Sequence, residues 1–518
     1  MIDVFTPPKA TFCVALILPF LLKFLWKKLR PGLPLPPGPK GYPIIGNLFD
    51  INRLDPWVHY AELSKTYGDI VFLQSMGTKI LVLSSYRRVT DLLEGRSAIY
   101  SGRPPWHMLN GMMGFDVYMT NMGYNSTWKR QRRLFHEYFS PTAISRFHPI
   151  MFGETSRLAG DLTSEPNKFS LHIRNYFARI IVKGIYGFDI KGGDDPYLKP
   201  VTESALGFII AAVPGRFLVD LIPALKYVPK WLPGAGWKRW AEYIRETTWR
   251  AWNEPFDRVY EAWEKGTSAS CIVTSMIDNL PLVDDEKRED EDFIARTTSG
   301  VAYIAGIDTT LGAAETFILL MALYPEVQKR AQAEIDDVVG LGNIPSIEDR
   351  DKLPYMTAIL REVFRWQCEF PLGVPHATTA DDIYDGYFIP KGTLVMVNAC
   401  HLLKDPECYA DPEEFLPERH IKDGQIEPNV LDPYSAAFGF GRRICPGRHL
   451  ALDSLHVMMS LILSLFDIAP PKDEAGNSVL KWSFGTGILH QPNPFDCVIT
   501  PRSEMHAQVI RNMNNDDI

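Results

Sequence analysis

Residues 438–447, FGFGRRICPG, place one cysteine, Cys445, among three glycines and two arginines. Glycines let the main chain fold sharply or approach a flat ring, because they carry no Cβ atom. Pro446 disfavours a helical conformation at Cys445, so that a helix begins only after the sulfur has been directed. Apolar residues at spacings of three and four then run from Leu450 to Leu463, which predicts a buried helix whose N-terminus faces the thiol. A thiolate in such a turn could ligate iron, and the ordinary alternative is a loop with a buried thiol.

The spacing Phe-x-x-Gly-x-Arg-x-Cys-x-Gly within this stretch resembles, position for position, the haem-ligand loop of the cytochrome P450 family of haem-thiolate monooxygenases. The resemblance implies that Cys445 is the axial thiolate of a haem b iron, with Phe438 and Arg443 as further haem contacts. It also implies a mainly α-helical fold with a smaller β region, in one body, although length alone suggests about three domains. The implied reaction inserts one atom of O₂ into a hydrophobic small molecule, with electrons from NADPH.

The composition allows a large core and excludes several classes of function. The chain has 518 residues, of which 46% are apolar, and its formal net charge of −8 argues against a nucleic-acid surface. Seven cysteines without CxxC or HxxxH spacing indicate neither a zinc site nor a disulfide framework. One thiol in a special environment fits a reducing, cytosolic compartment.

The N-terminus departs from this soluble character. Residues 10–26 are nearly all apolar, and Lys27, Lys28 and Arg30 follow them. Because the basic cluster comes after the apolar run, we expect an uncleaved anchor over residues 1–30, with the rest of the chain in the cytosol. Together with the resemblance, this predicts a single-pass protein of the endoplasmic reticulum membrane.

Two further segments flank the predicted monooxygenase domain, residues 48–502. Residues 31–47 are proline-rich, which favours a stiff hinge that would hold the domain at a fixed attitude to the membrane. A solvated linker explains this composition equally well. Residues 503–518 are polar and are predicted to be a disordered tail.

Periodicity and turn residues predict the order of the elements between these flanks. The predictions are a helix at 57–67, a hairpin of residues 70–73 and 80–83, a loop at 97–124, a helix from 128, helices within 140–280, a charged surface loop at 283–292, a long helix at 293–324, a helix at 353–366 and short strands within 383–397.

Three of these elements carry residues that match further motifs of the family. Trp128 and Arg132, one helical turn apart, match its W-x-x-x-R helix, which implies that both donate to a haem propionate. His376 follows Pro375 at a position where the family commonly holds a basic side chain on a propionate. The alternatives are a solvated helix face for the WKRQRR run and an ordinary core or surface role for the histidine.

The long helix contains the sequence AGIDTT, in which β-branched residues and a glycine predict a local distortion. It matches the A-G-x-D-T-T of the family, so the resemblance assigns Asp308 and Thr309 to proton delivery. Alone the motif is weak, because a threonine within a helix most often bonds back to its own backbone.

Glu362 and Arg365 lie one turn apart and match the E-x-x-R motif of the family, and Arg419 in FLPERH supplies the partner expected downstream. The resemblance implies a buried triad with a structural role. An isolated pair of this spacing is usually an exposed salt bridge of little energetic value. His420 stands where the family usually has an aromatic residue.

Two surfaces suggest partners. Residues 208–240 mix aromatic, basic and proline residues, which suits core packing or a membrane interface. Cations on the Trp128 helix and beside Cys445 predict a docking face for an acidic flavoprotein, which the resemblance identifies as NADPH–cytochrome P450 reductase, with cytochrome b5 as a second candidate. These cations are Lys129, Arg130, Arg133, Arg442 and Arg448.

Within the family, two stretches resemble fungal secondary-metabolite monooxygenases of the O-methylsterigmatocystin oxidoreductase and tryptamine monooxygenase groups. They are VPGRFLVDLIPALKYVPKWLPG and VPHATTADDIYDGYFIPKGT. Two other functions stay open: a haem-thiolate isomerase or dehydratase that does not use O₂, and a haem-binding sensor or carrier without turnover. The pair Asp308-Thr309 argues against both.

Overall fold

The structure is a computed structural model that describes residues 33–51, 54–193, 195–213 and 215–516, with side chains as far as residue 513. The predicted membrane anchor, residues 1–30, lies outside the described residues.

Helices dominate the described chain, as predicted. They are α1 (Leu48–Ile51), α2 (Pro56–Tyr67), α3 (Tyr86–Val89), α4 (Ser97–Tyr100), α5 (Ser126–Phe139), α6 (His148–Gly153), α7 (Thr155–Ser164), α8 (Phe169–Tyr186), α9 (Leu198–Ala211), α10 (Leu218–Leu221), α11 (Gly236–Glu264), α12 (Ile272–Asp278), α13 (Arg288–Leu323), α14 (Pro325–Val339), α15 (Pro354–Trp366), α16 (Ala399–Leu403), α17 (Tyr434–Ala437), α18 (Arg448–Leu465) and α19 (Glu504–Asp516).

Helix α13 is the centre of the helical layers. Its 36 residues span about 54 Å at 1.5 Å per residue. It packs against α5, α8, α9, α11, α12, α15 and α18. Because it is surrounded in this way, most of its side chains are buried all round, which explains its weak amphipathic pattern.

The β region is small and lies beside the helices. One four-stranded sheet has the order β1-β2-β6-β3, formed by β1 (Ile70–Ser75), β2 (Thr78–Leu83), β3 (His376–Ala377) and β6 (Leu394–Val397). The predicted hairpin is confirmed, since β1 and β2 pair antiparallel with Ser75 opposite Thr78. Strand β3 pairs with β6, which fixes His376 opposite Val395.

Three short two-stranded ladders complete the β structure of the described residues. They are β4 (Asp382–Tyr384) with β5 (Tyr387–Ile389), β7 (Ile421–Lys422) with β8 (Gln425–Ile426), and β9 (Phe466–Ala469) with β10 (Val498–Pro501).

The described part of the proline-rich segment is attached to the body. The backbone N–H of Phe72 donates to Pro37, and that of Phe388 donates to Pro34. At Gly38 a Cβ atom would collide with the Phe72 carbonyl, so a residue without a side chain is needed for this close approach. From residue 34 onward the segment therefore lies along the sheet, and it is not a free spacer.

Three sequence predictions are wrong in detail. Residues 97–124 are not a structureless loop: helix α4 buries Tyr100, and a π-helical turn, His107–Met112, buries Met108 and Leu109. These pieces are too short to give a recognisable period. The surface loop predicted at 283–292 ends early, because α13 begins at Arg288 with three acidic residues in its first turn, where the helix dipole favours them.

The third error concerns the C-terminus. Residues 504–516 form α19 and not a disordered tail. Met505, Val509 and Met513 recur at a spacing of four, and Ile510 is buried against the body. This narrow apolar stripe in a polar segment was enough to dock the helix.

One described helix, α13, has the length and hydropathy of a membrane span. In its most apolar window 67% is buried inside the protein. Its position between the other helices accounts for its apolar character.

Candidate functional site

The loop that carries Cys445 is a tight turn closed by its own backbone. The Cys445 N–H donates to the Phe438 carbonyl at 2.7 Å, which brings the two ends of the loop together. Gly441 has φ of 57°, and a Cβ atom there would collide with the Leu93 carbonyl. A glycine is therefore required where the loop crosses the segment that contains Leu93. Helix α18 begins at Arg448, as the sequence predicts.

The electrostatic surroundings of the Cys445 thiol act in both directions. Burial raises its pKa and outweighs the backbone N–H groups of Gly447 and Arg448 and the charges of Arg132 and Arg448, which lower it. These groups all stabilise a thiolate. The helix N-terminus and the two arginines thus supply the local positive potential that an anionic sulfur ligand needs.

Helix α13 runs through the AGIDTT stretch without interruption, so the predicted distortion does not break the helix. The hydroxyl groups of Thr309 and Thr310 donate to the carbonyls of Ala305 and Gly306, both at 2.8 Å. This is the ordinary backbone bond of a helical threonine. Ala305 is exposed although the four residues before it are buried, so open space borders the helix at that turn.

Asp308 is directed away from Thr309. Its carboxylate accepts a hydrogen bond from Arg174 of α8 at 2.8 Å, and the same guanidinium donates to Thr202 of α9. Asp308 and Thr309 are therefore adjacent in sequence but are not hydrogen-bonded to each other. Arg174 is a residue that sequence reasoning missed, because it lies 134 positions away.

Arg443 joins the cysteine loop to the segment 101–122. Its three guanidinium nitrogens donate to the carbonyls of Ser101, Met119 and Met122 at 2.8–2.9 Å. Burial, together with the charge of Arg132, lowers its pKa to about 9. Without this side chain, the carbonyls of Ser101 and Met122 would lose its hydrogen bonds, and Met119 would keep only the bond from the Trp128 indole.

Trp128 and Arg132 lie beside Arg443 on α5. The Arg443 guanidinium lies 4.6 Å from the centre of the Trp128 ring, and the indole N–H donates to the Met119 carbonyl. Burial lowers the pKa of Arg132, while the Cys445 thiolate raises it. No hydrogen bond or ion pair from the described residues engages the Arg132 guanidinium.

His376 is buried on β3 near the same cations. Its Nδ1 atom lies 2.8 Å from the Tyr100 carbonyl, so this nitrogen carries the proton in that bond. Burial lowers its pKa well below the usual value, and the charges of Arg103 and Arg443 add to the effect. A bound carboxylate would have the opposite influence.

Arg103 is a further cation of this cluster that sequence reasoning missed. It donates to the carbonyls of Thr120, Val374 and Pro375, and burial lowers its pKa well below the usual value. It is the only lysine or arginine between residues 97 and 124, in a segment rich in Met and aromatic residues. An isolated cation in such surroundings was a signal that could have identified it.

Glu362, Arg365 and Arg419 form the predicted cluster, with His420 as a fourth member. Arg365 binds Glu362 through two nitrogens at 2.7 and 2.8 Å, and Arg419 binds it at 3.0 Å. His420 donates to the second carboxylate oxygen at 2.9 Å. Burial would raise the pKa of Glu362, but the bonds from His420 and Arg365 keep it low. The histidine thus replaces the usual aromatic residue with a polar contact.

The cations predicted to form a docking face are not all free. Arg130 pairs with Asp290 and Glu291 of α13, so its charge is already neutralised. Lys129 and Arg133 are exposed on α5, and Arg442 is exposed beside the cysteine loop. Among the described residues, Arg133 and Lys129 have no carboxylate partner.

These residues fit a haem group. A thiol lies at a helix N-terminus, the Arg132 guanidinium has no carboxylate partner among the described residues, and further buried cations lie next to it. Cβ atoms built at Gly439 and Gly447 would meet nothing within 4 Å, so the loop has open space on one side. A flat ring with a metal and two carboxylates needs this combination of sulfur, cations and space.

Comparisons with known proteins agree with this geometry. The sequence profile described as Cytochrome P450 matches residues 36–498. The chain is 41% identical to Cytochrome P450 monooxygenase COX1 of Coprinopsis cinerea over 495 residues, which covers 94% of this chain and 95% of that protein. It is 43% identical to Cytochrome P450 monooxygenase COX2 of the same fungus over 91% and 90% of the two chains. It is 38% identical to Tryptamine 4-monooxygenase of Psilocybe cyanescens over 91% and 93%.

Proposed function

The chain belongs to the cytochrome P450 family and is a monooxygenase, and on that premise we propose that it is a membrane-anchored haem-thiolate enzyme of fungal secondary metabolism. It oxidises a hydrophobic small molecule with O₂ and with electrons that reach it from NADPH through a reductase. The observation that carries the proposal is the Cys445 thiol, held in a closed turn among backbone N–H groups and arginines.

We assign each residue of the site a separate role in binding the haem. Cys445 would provide the thiolate ligand, and the Phe438 carbonyl closes its loop. Arg132 and the Arg443 cluster would receive the propionates, with Trp128 and His376 beside them. When bound, the haem supplies the activation of O₂ and the transfer of one oxygen atom. The protein then has to position the substrate, exclude water and deliver protons.

Proton delivery is assigned to Thr309 with Asp308 behind it. In the structure the Thr309 hydroxyl is bonded to Ala305, and Asp308 is paired with Arg174. We propose that the hydroxyl turns toward the open space at Ala305, where it can accept a proton from water and pass one on. Arg174 then holds Asp308 at the entrance of the water path. Glu362, Arg365 and Arg419 support the fold and take no part in the chemistry.

Exposed apolar side chains support contact with a membrane beyond the anchor. Within residues 208–240, Phe217 stacks on Trp240 and Val219 is buried, whereas Tyr227 and Trp231 are each 77% exposed. The segment therefore packs into the core on one side and presents large apolar residues on the other. The exposed members are Leu218, Ile222, Tyr227, Trp231 and Leu232.

A small cavity of about 60 Å³ lies between these apolar surfaces and the sheet. Its lining includes Leu54, Val213, Leu372 and Ile488. Leu54 is itself 79% exposed, and Val213 lies in the segment 208–240. Because exposed apolar residues border the cavity on both sides, we propose that a hydrophobic substrate enters here from the membrane. The likeness to Tryptamine 4-monooxygenase favours secondary metabolites as the substrate class without identifying one.

The first test uses the thiolate. Reduced protein with carbon monoxide should absorb at the position typical of haem-thiolate proteins, and Cys445→Ala should lose this band. The matched control is Cys368→Ala, since Cys368 is also buried and burial raises its pKa well above the usual value. Loss of the band in the control, together with retention in Cys445→Ala, would refute the ligand assignment.

The second test separates a monooxygenase from the other functions. With reductase, NADPH and O₂, Thr309→Ala should keep its haem but divert electrons to hydrogen peroxide. The measurement is the product formed and the peroxide released per NADPH consumed. Wild-type protein that converts a substrate without NADPH would instead be an isomerase or dehydratase, and one that consumes no NADPH under any condition would be a carrier.

A further inference from the structure

The carboxyl group of Glu369 is packed against the face of α13 in an unusual way. Glu369 follows the end of α15, and a Cβ atom on Gly312 would collide with its Oε1 atom and with the amide of Gln491. Gly312 therefore admits two polar side chains to the helix surface. The Oε1 atom is buried and has no hydrogen-bond partner among the described residues.

This carboxyl lies one helical turn beyond Thr309. Ala305, Thr309, Gly312 and Thr316 follow each other at spacings of three and four, so they share one face of α13, at about 5 Å per turn. The face includes the open space at Ala305. The Gln491 amide reaches the same turn, because it donates to the Asp308 carbonyl at 2.7 Å. The Glu369 carboxyl therefore lies on the same face of α13 as Thr309, one turn away.

A second carboxyl, Glu315, lies on α13 three residues after Gly312, and its charge acts on Glu369. Burial raises the pKa of Glu369 well above its usual value and the charge of Glu315 raises it further, while the Gln491 amide and the Ala313 backbone N–H oppose this in part. Burial raises the pKa of Glu315 itself to about 7, partly opposed by the hydroxyl of Ser170, which donates to it. Two neighbouring buried carboxyls cannot both ionise at neutral pH, so the pair retains at least one proton.

The other charged groups around the pair do not alter this outcome. Asp308 adds negative charge near Glu315, but its carboxylate is engaged by Arg174. Cys368 precedes Glu369, and burial raises its pKa well above the usual value. His490 donates its backbone N–H to the Glu369 carbonyl, and burial lowers the pKa of its ring, which is therefore neutral at pH 7.

We propose that Glu315 and Glu369 form a proton store that resupplies the Thr309 hydroxyl during turnover. The proposal rests on the proposed monooxygenase function, whose overall reaction consumes O₂, two electrons and two protons and releases one water with the oxygenated product. Glu369 gives its proton to a water beside Thr309 and becomes a carboxylate. It then regains a proton from Glu315, which is reprotonated from solvent beside Ser170. Both are proton-relay residues that act through Thr309.

Infrared titration of the resting haem protein tests the store without turnover. At pH 7 the wild type should show the C=O stretch of buried protonated carboxyls, and Glu369→Gln should remove the component that belongs to Glu369. The remaining component, from Glu315 with its pKa of about 7, should disappear as the pH rises. Glu334→Gln is the control, because Glu334 accepts two backbone N–H bonds away from this cluster and its loss should leave both components in place. Absence of the band in the wild type, or an unchanged band in Glu369→Gln, would overturn the proposal.

Turnover provides the second readout. With reductase, NADPH and no added substrate, the reduced oxygen is divided between peroxide and water, and water formation needs further protons. Glu369→Gln and Glu315→Gln should raise the peroxide share severalfold and increase the solvent isotope effect in D₂O, since positioned proton transfer contributes about 10²–10⁴-fold to rates. Ser170→Ala, a partly exposed position, should change the isotope effect without loss of folding.

The possible failures are distinguishable. If the wild type consumes NADPH normally and both glutamine variants keep the wild-type peroxide share, the store is refuted while the monooxygenase function stands. If Glu369→Gln alters only the affinity for substrates and not the peroxide share, the carboxyl is a substrate contact, which also refutes the store. If the wild type consumes no NADPH, the proposed function fails and the store with it.

Discussion

Replacing Glu362 by glutamine should destabilise the protein strongly, and the structure gives the size of the effect. The carboxylate is fully buried and accepts five hydrogen bonds, two from Arg365 and one each from Arg419, His420 and the Leu416 N–H. Burial lowers the pKa of His420, so at pH 7 the imidazole is neutral. The cluster therefore carries one net positive charge with Glu362 and two without it.

A glutamine at this position retains the shape but loses the charge, and its NH₂ group faces the guanidinium donors. Breaking a buried ion pair by removing one partner costs about 3–5 kcal/mol, because the remaining charge stays uncompensated. Typical proteins are stable by only about 5–15 kcal/mol, so the loss is a large share of the total. Carbonyl groups of Leu403, Pro412 and Glu414 still bind Arg365, which favours the lower end of the range.

The assay is urea unfolding, followed by circular dichroism and by the carbon monoxide band of the haem in parallel. The control is Glu62→Gln, which removes an exposed pair with Lys65 and should cost at most about 1 kcal/mol. We expect Glu362→Gln to lower the unfolding midpoint and to lose haem before the helices unfold. A midpoint equal to that of the control would refute the reasoning that the buried charges depend on Glu362.

Three further predictions follow from other parts of the structure. The double change Lys129→Glu and Arg133→Glu should slow electron transfer from the reductase and flatten its salt dependence. Turnover driven by an organic peroxide should be unaffected. Arg130 is left unchanged because it is paired within the protein. Arg103→Gln should lower the haem content per protein, measured by absorbance, because a cation of the propionate cluster is lost. Burial raises the pKa of Glu315 from 4.5 to about 7, so in this pH interval the folded protein binds a proton that the unfolded chain has released. The free energy of unfolding therefore falls as the pH rises from 4.5 to about 7. Glu315→Gln should flatten this decline, measured as the urea midpoint of unfolding at each pH.

The elements of the fold could be predicted mainly where one local pattern dominates. Helices α2, α13 and α15 and the hairpin of β1 and β2 were predicted within a few residues, because each has a clear period and ends at Gly, Pro or a turn. The segment 97–124 and helix α19 were misread. The former combines several short turns, and the latter has an apolar stripe only one residue wide, so composition pointed to loop and disorder.

The family and its motifs could likewise be identified from sequence, because the residues of each motif are close together in the chain. The Cys445 loop, the AGIDTT stretch and the pair Glu362–Arg365 depend on spacings of a few residues, which the backbone geometry of a turn or helix fixes. For the same reason the sequence located α18 behind the cysteine.

Partners that lie far apart in the chain were decided only by the tertiary structure. Arg174 reaches Asp308 across 134 positions, and Arg130 reaches Asp290 across 160. His420 is hydrogen-bonded to Glu362 because the helical turn that contains it, Pro417–His420, packs on α15. Glu369 reaches the surface of α13 because Gly312 lets the chain after α15 approach this helix. No local pattern encodes such pairs, since packing of distant elements decides which polar groups share a buried space and so which pKa values are shifted.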